Sequence, residues 1–331
     1  MTNLNSYSKK IIESYEKNIY ALSLYKAWHF LLRAYRINGK LSYENFLAYY
    51  TFLLKMLHFK GYIQKIKAQD FEITTRKISA IKSLREKNRQ LYYRKNPKIK
   101  FYNNLLTDMF FVKMLGLDKI LKNEMSWLIK TLKNETLENI YLQKEAIQAD
   151  SSFVFTSVFF LEILKIKSIS QEATELVKSM YLKEDLTLKK TLAEWEFLSF
   201  IYSLTHIIIS ESSFYEKKVE KYSWIIDFFA KNIDLILENC KLDILAEVGL
   251  CFKLSGKEKE YETAYKKIIN SIVKKIEKET FTDPDLLIKK EHTNSVLMLL
   301  FSDKKSFFSW PDLSKNEEFL KLTSKLCCKN T

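Results

Sequence analysis

The stretch FLSFIYSLTHIII, residues 197–209, carries one histidine, His206, in an almost entirely apolar segment of helical character. Two further segments share this pattern: DILAEVGLCF, residues 243–252, with Asp243 and Glu247, and HTNSVLMLLF, residues 292–301, which begins at His292. A helix that is apolar on every side is buried, and an ionisable group inside it is costly unless it is paired or bound. The three segments therefore predict buried helices whose polar groups meet partners or a ligand.

The composition predicts an all-α protein. Of 331 residues, 47% are hydrophobic and 14% are aromatic, which excludes a disordered chain. Only 5 glycines and 3 prolines occur, too few for the turns of a β-sandwich, a β-barrel or a doubly wound sheet. The scarcity of glycine also argues against a glycine-rich nucleotide-binding loop.

The sequence predicts a soluble, cytoplasmic protein. Its first residues, MTNLNSYSKK, lack the apolar core of a signal peptide. The longest uncharged apolar run, residues 197–210, is shorter than a membrane-spanning helix, so we expect no transmembrane segment. The 4 cysteines do not have the spacing of a disulfide framework, and we expect reduced thiols.

Positive charge is concentrated at the start of the chain. Residues 1–100 hold 21 Lys or Arg against 6 Asp or Glu, whereas the rest holds 33 against 34. Asn96-Pro97 interrupts the helical pattern near the point where the charge changes. We therefore expect a basic helical N-terminal region, residues 1–100, and a second domain, residues 101–331.

Apolar and amphipathic helices are predicted to alternate after residue 100. The apolar helices are expected at 101–115, 150–166, 191–210, 240–254 and 293–302. The last four begin 41 to 53 residues apart, a period typical of two-helix repeats. An open solenoid and a ring-closed α/α toroid both use this repeat. Because the inner helices are apolar almost all round, the pattern favours the toroid.

Polar side chains form stripes on these inner helices. Residues four apart share a helix face, and two such stripes occur: Tyr202, His206 and Ser210, and Asp243, Glu247 and Cys251. Thr293 follows His292 and is a candidate N-cap. His29 and His58, in contrast, lie in aromatic-rich segments and are expected to be core or interface residues.

The stripes allow two kinds of site and one structural interpretation. His206 and His292 with Asp243 or Glu247 could bind Zn²⁺ or Fe²⁺ and leave positions open for substrate. Without a metal, the same four groups could act as a general acid and base. Alternatively, each group bonds a neighbouring helix and fixes the packing. No metal-binding spacing such as HExxH or CxxC selects among these alternatives.

The segments YSLTHIIISES (202–212), KLDILAEVGLCFKLSG (241–256) and HTNSVLMLLF (292–301) resemble an uncharacterised bacterial family of α/α toroids. Its members are similar to terpene-cyclase-type and lanthionine-cyclase-type barrels. The resemblance places five residues at the positions of the family's motifs: His206, Asp243, Glu247, His292 and Thr293. Glu211 stands near a position where members often carry Asp. The resemblance implies a toroid and a common pocket but no particular activity.

Residues 76–100 form a basic segment with 10 Lys or Arg, one acid and interleaved tyrosines. Such a segment could contact the phosphates of a nucleic acid, or bind an acidic peptide or carrier protein. It could also be a solvated helix face. No motif for sequence-specific nucleic-acid recognition accompanies it.

These observations predict a biosynthetic toroid enzyme, or an enzyme-like binding protein, with His206, Asp243, Glu247 and His292 as its catalytic groups. The expected substrate-binding residues are Tyr202, Ser210, Thr293, Arg85, Arg89 and Arg94. The alternative is a non-enzymatic helical scaffold that binds nucleic acid or an acidic protein through its basic region. An adaptor at a membrane surface is a third possibility, since a basic helix with aromatic residues can lie on anionic lipid.

Overall fold

A computed structural model describes residues 4–40, 45–71, 81, 83–277, 281–304, 306–317 and 319–321. The prediction of an all-α protein is confirmed for these residues: no β-strand occurs among them, and one isolated β-bridge joins Leu182 to Leu188. The α-helices are α1 (Leu4–Lys17), α2 (Leu24–Asn38), α3 (Asn45–Ala68), α4 (Leu84–Lys95), α5 (Pro97–Met114), α6 (Lys122–Lys133), α7 (Glu138–Tyr141), α8 (Lys144–Ile163), α9 (Ser170–Tyr181), α10 (Glu194–Glu211), α11 (Ser223–Lys231), α12 (Ile233–Asn239), α13 (Leu242–Leu254), α14 (Glu262–Ile276) and α15 (Pro284–Phe301).

The chain forms two compact units. The first unit comprises Met1–Thr51 and Ile208–Ser309, and the second comprises Phe52–Ile207 and Trp310–Thr331. The divisions fall inside α3 and α10. The expected domain boundary near residue 100 stays a prediction.

Helix α15 is the centre of the first unit. It packs against α1, α2 and α13, and α14 packs against α13. Every residue from Asn294 to Phe301 is buried, as the apolar segment predicts. Tyr15 links two parts of α15 in this core, since its hydroxyl donates to the carbonyl of Leu287 at 2.7 Å and accepts from the Asn294 amide at 2.9 Å. The burial of its C-terminal half holds α15 in a fixed position against the neighbouring helices.

Helix α8 is the centre of the second unit, where it packs against α4, α5, α7 and α9. The rings of Phe110 and Phe160 stack in this core with centroids 4.2 Å apart. At Asp150 the backbone leaves the helical region (φ −152°, ψ 64°), so α8 is kinked there. The buried Asp150 carboxylate accepts a hydrogen bond from the Tyr93 hydroxyl and lies 3.5 Å from the Arg89 guanidinium. This pairing accounts for the burial of the charge.

Several predicted helix limits are wrong. Helical periodicity in the sequence runs from about Tyr7 to Ile37 and indicates one long first helix, but the chain leaves α1 at Lys17 and starts α2 at Leu24. The Ser23 hydroxyl caps α2 by accepting from the Lys26 amide at 3.4 Å. The sequence pattern ends the second helix at about His58, yet α3 continues to Ala68, because a single glycine inside a helix, here Gly61, costs only about 1 kcal/mol.

The start of the last apolar helix is also corrected. Thr293 was expected to be its N-cap, whereas α15 begins nine residues earlier, at Pro284. The Asp283 carboxylate accepts from the amides of Asp285 and Leu286 at 2.9 and 3.4 Å, so Asp283 is the cap and Pro284 follows it. Thr293 lies inside the helix.

Among the described residues, α8 is long and apolar enough to cross a membrane by length and composition. Its most apolar window is 78% buried inside the protein. Burial of this kind is usual for a core helix of a soluble protein, and the expectation of a soluble chain agrees with it.

Replacing Gly116 by alanine will destabilise the second unit by about 1–2 kcal/mol, because Gly116 has a left-handed φ of +71°. A Cβ at this position would also lie 2.1 Å from the Asp312 carboxylate, which binds the backbone amide of Ser314 at 3.1 Å. Gly61→Ala is the matched control: among the described residues no atom beyond its own helical turn lies within 4 Å of the added Cβ, and helix propensity predicts a stabilisation of about 1 kcal/mol. Urea unfolding measures both. Equal effects of the two substitutions would contradict this account.

Candidate functional site

The first unit holds a buried pair of an imidazole and a carboxylate. His29 projects from α2 and Glu291 from α15, and His29 Nδ1 lies 2.7 Å from Glu291 Oε1. The Ser295 hydroxyl, one turn further along α15, donates to the same oxygen at 2.7 Å. The side chains of His29 and Glu291 are 14% and 4% exposed. The packing of α2 on α15 therefore brings together two groups that are 262 residues apart in sequence.

The surroundings of this pair set its protonation. Burial, together with the charges of Arg33 and His292, lowers the pKa of His29 to about 4, although Glu291 opposes the shift. Burial alone would raise the pKa of Glu291, but the hydrogen bond and charge of His29, the charge of Arg33 and the Ser295 hydroxyl outweigh it and lower that pKa. At neutral pH, Glu291 is a carboxylate that accepts from a neutral His29. Nδ1 then carries the proton, and Nε2 keeps its lone pair.

A second pair of the same kind lies beside the first. His292, on α15, places Nε2 3.3 Å from Oε1 of Glu247, which projects from α13. The Glu247 side chain is 2% exposed, whereas that of His292 is 49% exposed. The ring centroids of His29 and His292 are 5.7 Å apart. We call these four residues, His29, Glu291, His292 and Glu247, the paired-histidine site.

Arg33 and Tyr215 flank the paired-histidine site. Arg33 lies one turn after His29 on α2, and its guanidinium donates to the His29 carbonyl at 3.1 Å. The same guanidinium is 5.7 Å from the centroid of the buried Tyr215 ring. Burial raises the pKa of the Tyr215 phenol, and the negative charge of Glu247 raises it further. The positive charge of Arg33 lowers this pKa but does not outweigh the other two effects. Tyr215 is therefore a neutral hydroxyl that can donate a hydrogen bond.

Tyr215 belongs to an unusual turn. Ser213, Phe214 and Tyr215 have consecutive positive φ values of 53°, 54° and 75°. Non-glycine residues enter this left-handed region at a cost of about 1–2 kcal/mol each and rarely in succession. The turn is fixed in part by the Ser212 hydroxyl, which accepts from the Tyr215 amide at 2.8 Å. Backbone strain of this kind is often found at functional sites. Here the strained turn places Tyr215 next to Arg33.

Part of the predicted site lies in this first unit. Glu247 and His292 are brought together as a hydrogen-bonded pair. Asp243 lies one turn before Glu247, half-buried in the first turn of α13, and Thr293 follows His292 along α15. Ser210 is buried on α10.

His206 lies in the second unit with partners of its own. Its Nδ1 is 3.1 Å from the Thr156 hydroxyl, and its ring centroid is 6.3 Å from that of Tyr202. The Arg85 guanidinium lies over the Tyr202 ring at 4.1 Å. Tyr202, a member of the predicted polar stripe on α10, is thus in direct contact with Arg85 of the basic segment. The sequence alone does not connect these two groups of residues.

Within the described ranges, no group of three or more His, Cys, Asp or Glu side chains is placed to hold a metal ion. His292 has one buried carboxylate as its hydrogen-bonding partner, and His206 has a threonine hydroxyl. The candidate Zn²⁺ or Fe²⁺ site at His206 and His292 therefore has no cluster of ligands to support it in this part of the chain.

Part of the basic segment, residues 76–100, makes contacts inside the protein. Arg89 pairs with Glu86 and lies 3.5 Å from Asp150, while Arg85 lies over Tyr202. Arg94 is exposed near the end of α4. Three of the predicted basic residues fall outside the described ranges: Arg76, Lys77 and Lys82.

Four important residues were missed from the sequence: His29, Arg33, Tyr215 and Glu291. His29 was expected to be a core or interface residue, and its pairing with an acid could not be read from its neighbours in the sequence. The spacing of His29 and Arg33, four residues apart on one helix, was an available signal. The adjacency of Glu291 and His292 at the start of an apolar segment was another.

Comparison with known proteins gives one match. No curated protein and no solved structure matches the chain significantly. A family described only as a domain of unknown function, DUF3541, matches residues 4–329. This agrees with the expectation of an uncharacterised family. Because the match covers nearly the whole chain, the protein belongs to the DUF3541 family.

Proposed function

We propose that the protein is an enzyme that performs general acid–base catalysis on an anionic organic substrate at the paired-histidine site. One observation carries this proposal: two imidazoles lie 5.7 Å apart, each hydrogen-bonded to its own buried carboxylate. A carboxylate fixes the orientation and the tautomer of its histidine partner, as it does in hydrolytic triads. Two such pairs side by side supply two oriented groups for proton transfer.

The two histidines have different environments, which assigns them different roles. His29 is buried and neutral with Nδ1 bound to Glu291, so its Nε2 serves as the base. His292 is half-exposed and serves as the partner that exchanges protons with substrate and solvent. The positive charge of Arg33 and the neutral hydroxyl of Tyr215 would orient an anionic substrate. One buried and one half-exposed imidazole, each oriented by a carboxylate, are a suitable arrangement for an acid–base site.

The proposal includes an α/α toroid as the architecture. The alternation of buried helices, such as α8, α13 and α15, with amphipathic ones, such as α9 and α14, supports it. We further propose a biosynthetic role in a bacterial cytoplasm, with the basic region receiving an acidic substrate, peptide or carrier protein.

A helical scaffold is the second candidate function, and one observation favours it. Several basic side chains of α4 and the start of α5 are exposed: Lys87, Arg94, Lys95 and Lys98. They could contact nucleic acid phosphates or an acidic protein without any catalysis. Under this alternative the paired-histidine site would serve stability alone.

A metabolite screen separates the two functions. The purified protein would be incubated with an extract of small metabolites, and mass spectrometry would follow which compounds disappear. We expect wild-type protein to consume at least one anionic compound and the variant His29→Gln/His292→Gln to leave it unchanged. His58→Gln, at an exposed histidine of α3, is the control and should behave as wild type. Consumption of the same compounds by the double variant would reject the proposed function.

A further inference from the structure

We infer that a cavity of about 440 Å³ in the first unit binds the phosphate ester of a small organic molecule. The cavity lies between the loop after α10, the end of α13 and the residues that follow α15. Four lysines line it: Lys217, Lys218, Lys253 and Lys259. Its size is in the range of ligand pockets in proteins. The inference stands whether or not the paired-histidine site is catalytic.

The charges around the cavity are not balanced. Two acids also line it, Glu216 and Glu258. The negative charge of Glu216 acts on Arg36, and that of Glu258 acts on Lys253, so both acids already face cations. Lys218 and Lys259 make no ion pair with any described residue. An anion of two charges would neutralise them.

Lys253 gives the cavity a fixed cation. It is half-buried, and its ammonium donates to the carbonyls of Leu299 and Ser302 at 2.9 and 2.7 Å, where α15 ends. Burial lowers the pKa of Lys253 to about 8 against the opposing effect of Glu258 and Asp303. An anion bound nearby would favour the charged form. The hydrogen bonds hold this cation in place before any ligand arrives.

Lys218 reaches the cavity because residue 256 is a glycine. Gly256 has a φ of +62°, and a Cβ there would lie 2.6 Å from Cε of Lys218. The absent side chain lets the lysine lie directly against the backbone. The geometry therefore brings a flexible cation close to the chain turn that ends α13.

The cavity also has an apolar wall for the organic part of a ligand. Tyr215, Leu254 and Phe307 line it, and the Phe307 ring lies 5.2 Å from the Lys253 ammonium. The left-handed turn at residues 213–215 places Tyr215 in this wall. A group of cations beside an aromatic surface suits a phosphate monoester better than a free ion, because phosphate oxygens bind several ammonium groups while the ester carbon chain packs on the rings.

Isothermal titration calorimetry with phenyl phosphate tests the inference. We expect measurable binding to wild-type protein and, in the variant Lys218→Met/Lys259→Met, an affinity at least about tenfold weaker, since charge-assisted contacts are lost. Methionine keeps the aliphatic stem that packs on Gly256. Lys274→Met/Lys275→Met, at the far end of α14, removes the same net charge from exposed positions and should bind as wild type.

The control addresses general attraction of anions to a chain whose formal net charge is +14. Equal weakening by both double variants would overturn the inference, as would an absence of binding to wild-type protein. Inorganic phosphate is the second probe and should bind more weakly than phenyl phosphate. Equal affinity for the two would overturn the assignment to an ester, because the apolar wall would then contribute nothing.

Discussion

Lowering the pH from 7.5 to 4 will reduce the free energy of unfolding by about 3 kcal/mol through His29 alone. The folded protein holds the pKa of His29 at about 4, whereas the unfolded chain has the ordinary value of 6.5. Between these values the unfolded chain binds more protons, so acid favours unfolding. Among the described residues, the charged and titratable groups that act on His29 are Glu291, Arg33 and His292, and of these Glu291 favours the charged imidazole.

Urea unfolding at pH 7.5, 5 and 4 measures this effect. About 2 kcal/mol of the loss should already be present at pH 5. Glu291 contributes separately and at lower pH. Because the fold lowers its pKa, the Glu291 carboxylate stabilises the folded protein at pH values above 4.5, the ordinary pKa. This stabilisation is lost as the pH falls through the pKa of Glu291 in the folded protein. The comparison at pH 5 therefore isolates His29.

His29→Gln is the informative variant, because the glutamine amide can still donate to Glu291 but does not titrate. We expect its stability to fall less between pH 7.5 and 5 than that of the wild type. His58→Gln removes an exposed histidine instead and should keep the wild-type dependence. If His29→Gln and the wild type lose equal stability over this interval, His29 is not held neutral by the fold.

The sequence allowed a good prediction of which helices are buried. The apolar helix expected at 150–166 matches the buried part of α8, and the one expected at 240–254 is close to the observed α13, Leu242–Leu254. Apolar periodicity is strong there, and polar loops bound both segments. The same criterion failed between α1 and α2, since helical spacing continues through the turn and only Ser23 marks the new start. The Asp283-Pro284 pair was an available signal for α15 that was overlooked.

The candidate site was predictable only in part, for a physical reason. Burial requires that Glu247 and His292 have partners, and the sequence analysis identified both residues on that ground. The sequence does not show which helix packs against which other helix. Glu291 is paired by His29 from the other end of the chain, and only the packing of α2 on α15 decides this contact. A pattern along one helix contains no information about such a neighbour.

The largest kinetic effect is expected from the two histidines of the paired-histidine site. On the compound that the metabolite screen identifies, His29→Gln and His292→Gln should each lower kcat/KM by about 10²- to 10⁴-fold, the usual contribution of a positioned acid or base. If the two imidazoles act in one proton-transfer step, removing the second should add little. The double variant should then lie within about tenfold of the slower single variant.

The pH profile provides a readout that a purely structural role would not change. A base with a pKa of about 4 must lose its proton to act, so kcat/KM should rise with pH through about 4 and level off above it. His29→Gln should lack this rise, whereas His292→Gln, which leaves the His29–Glu291 pair intact, should retain it at a lower rate. Circular dichroism at each pH separates loss of rate from loss of fold. Single-variant losses that multiply in the double variant would mean that the two pairs act independently, and would remove the case for a joint acid–base mechanism.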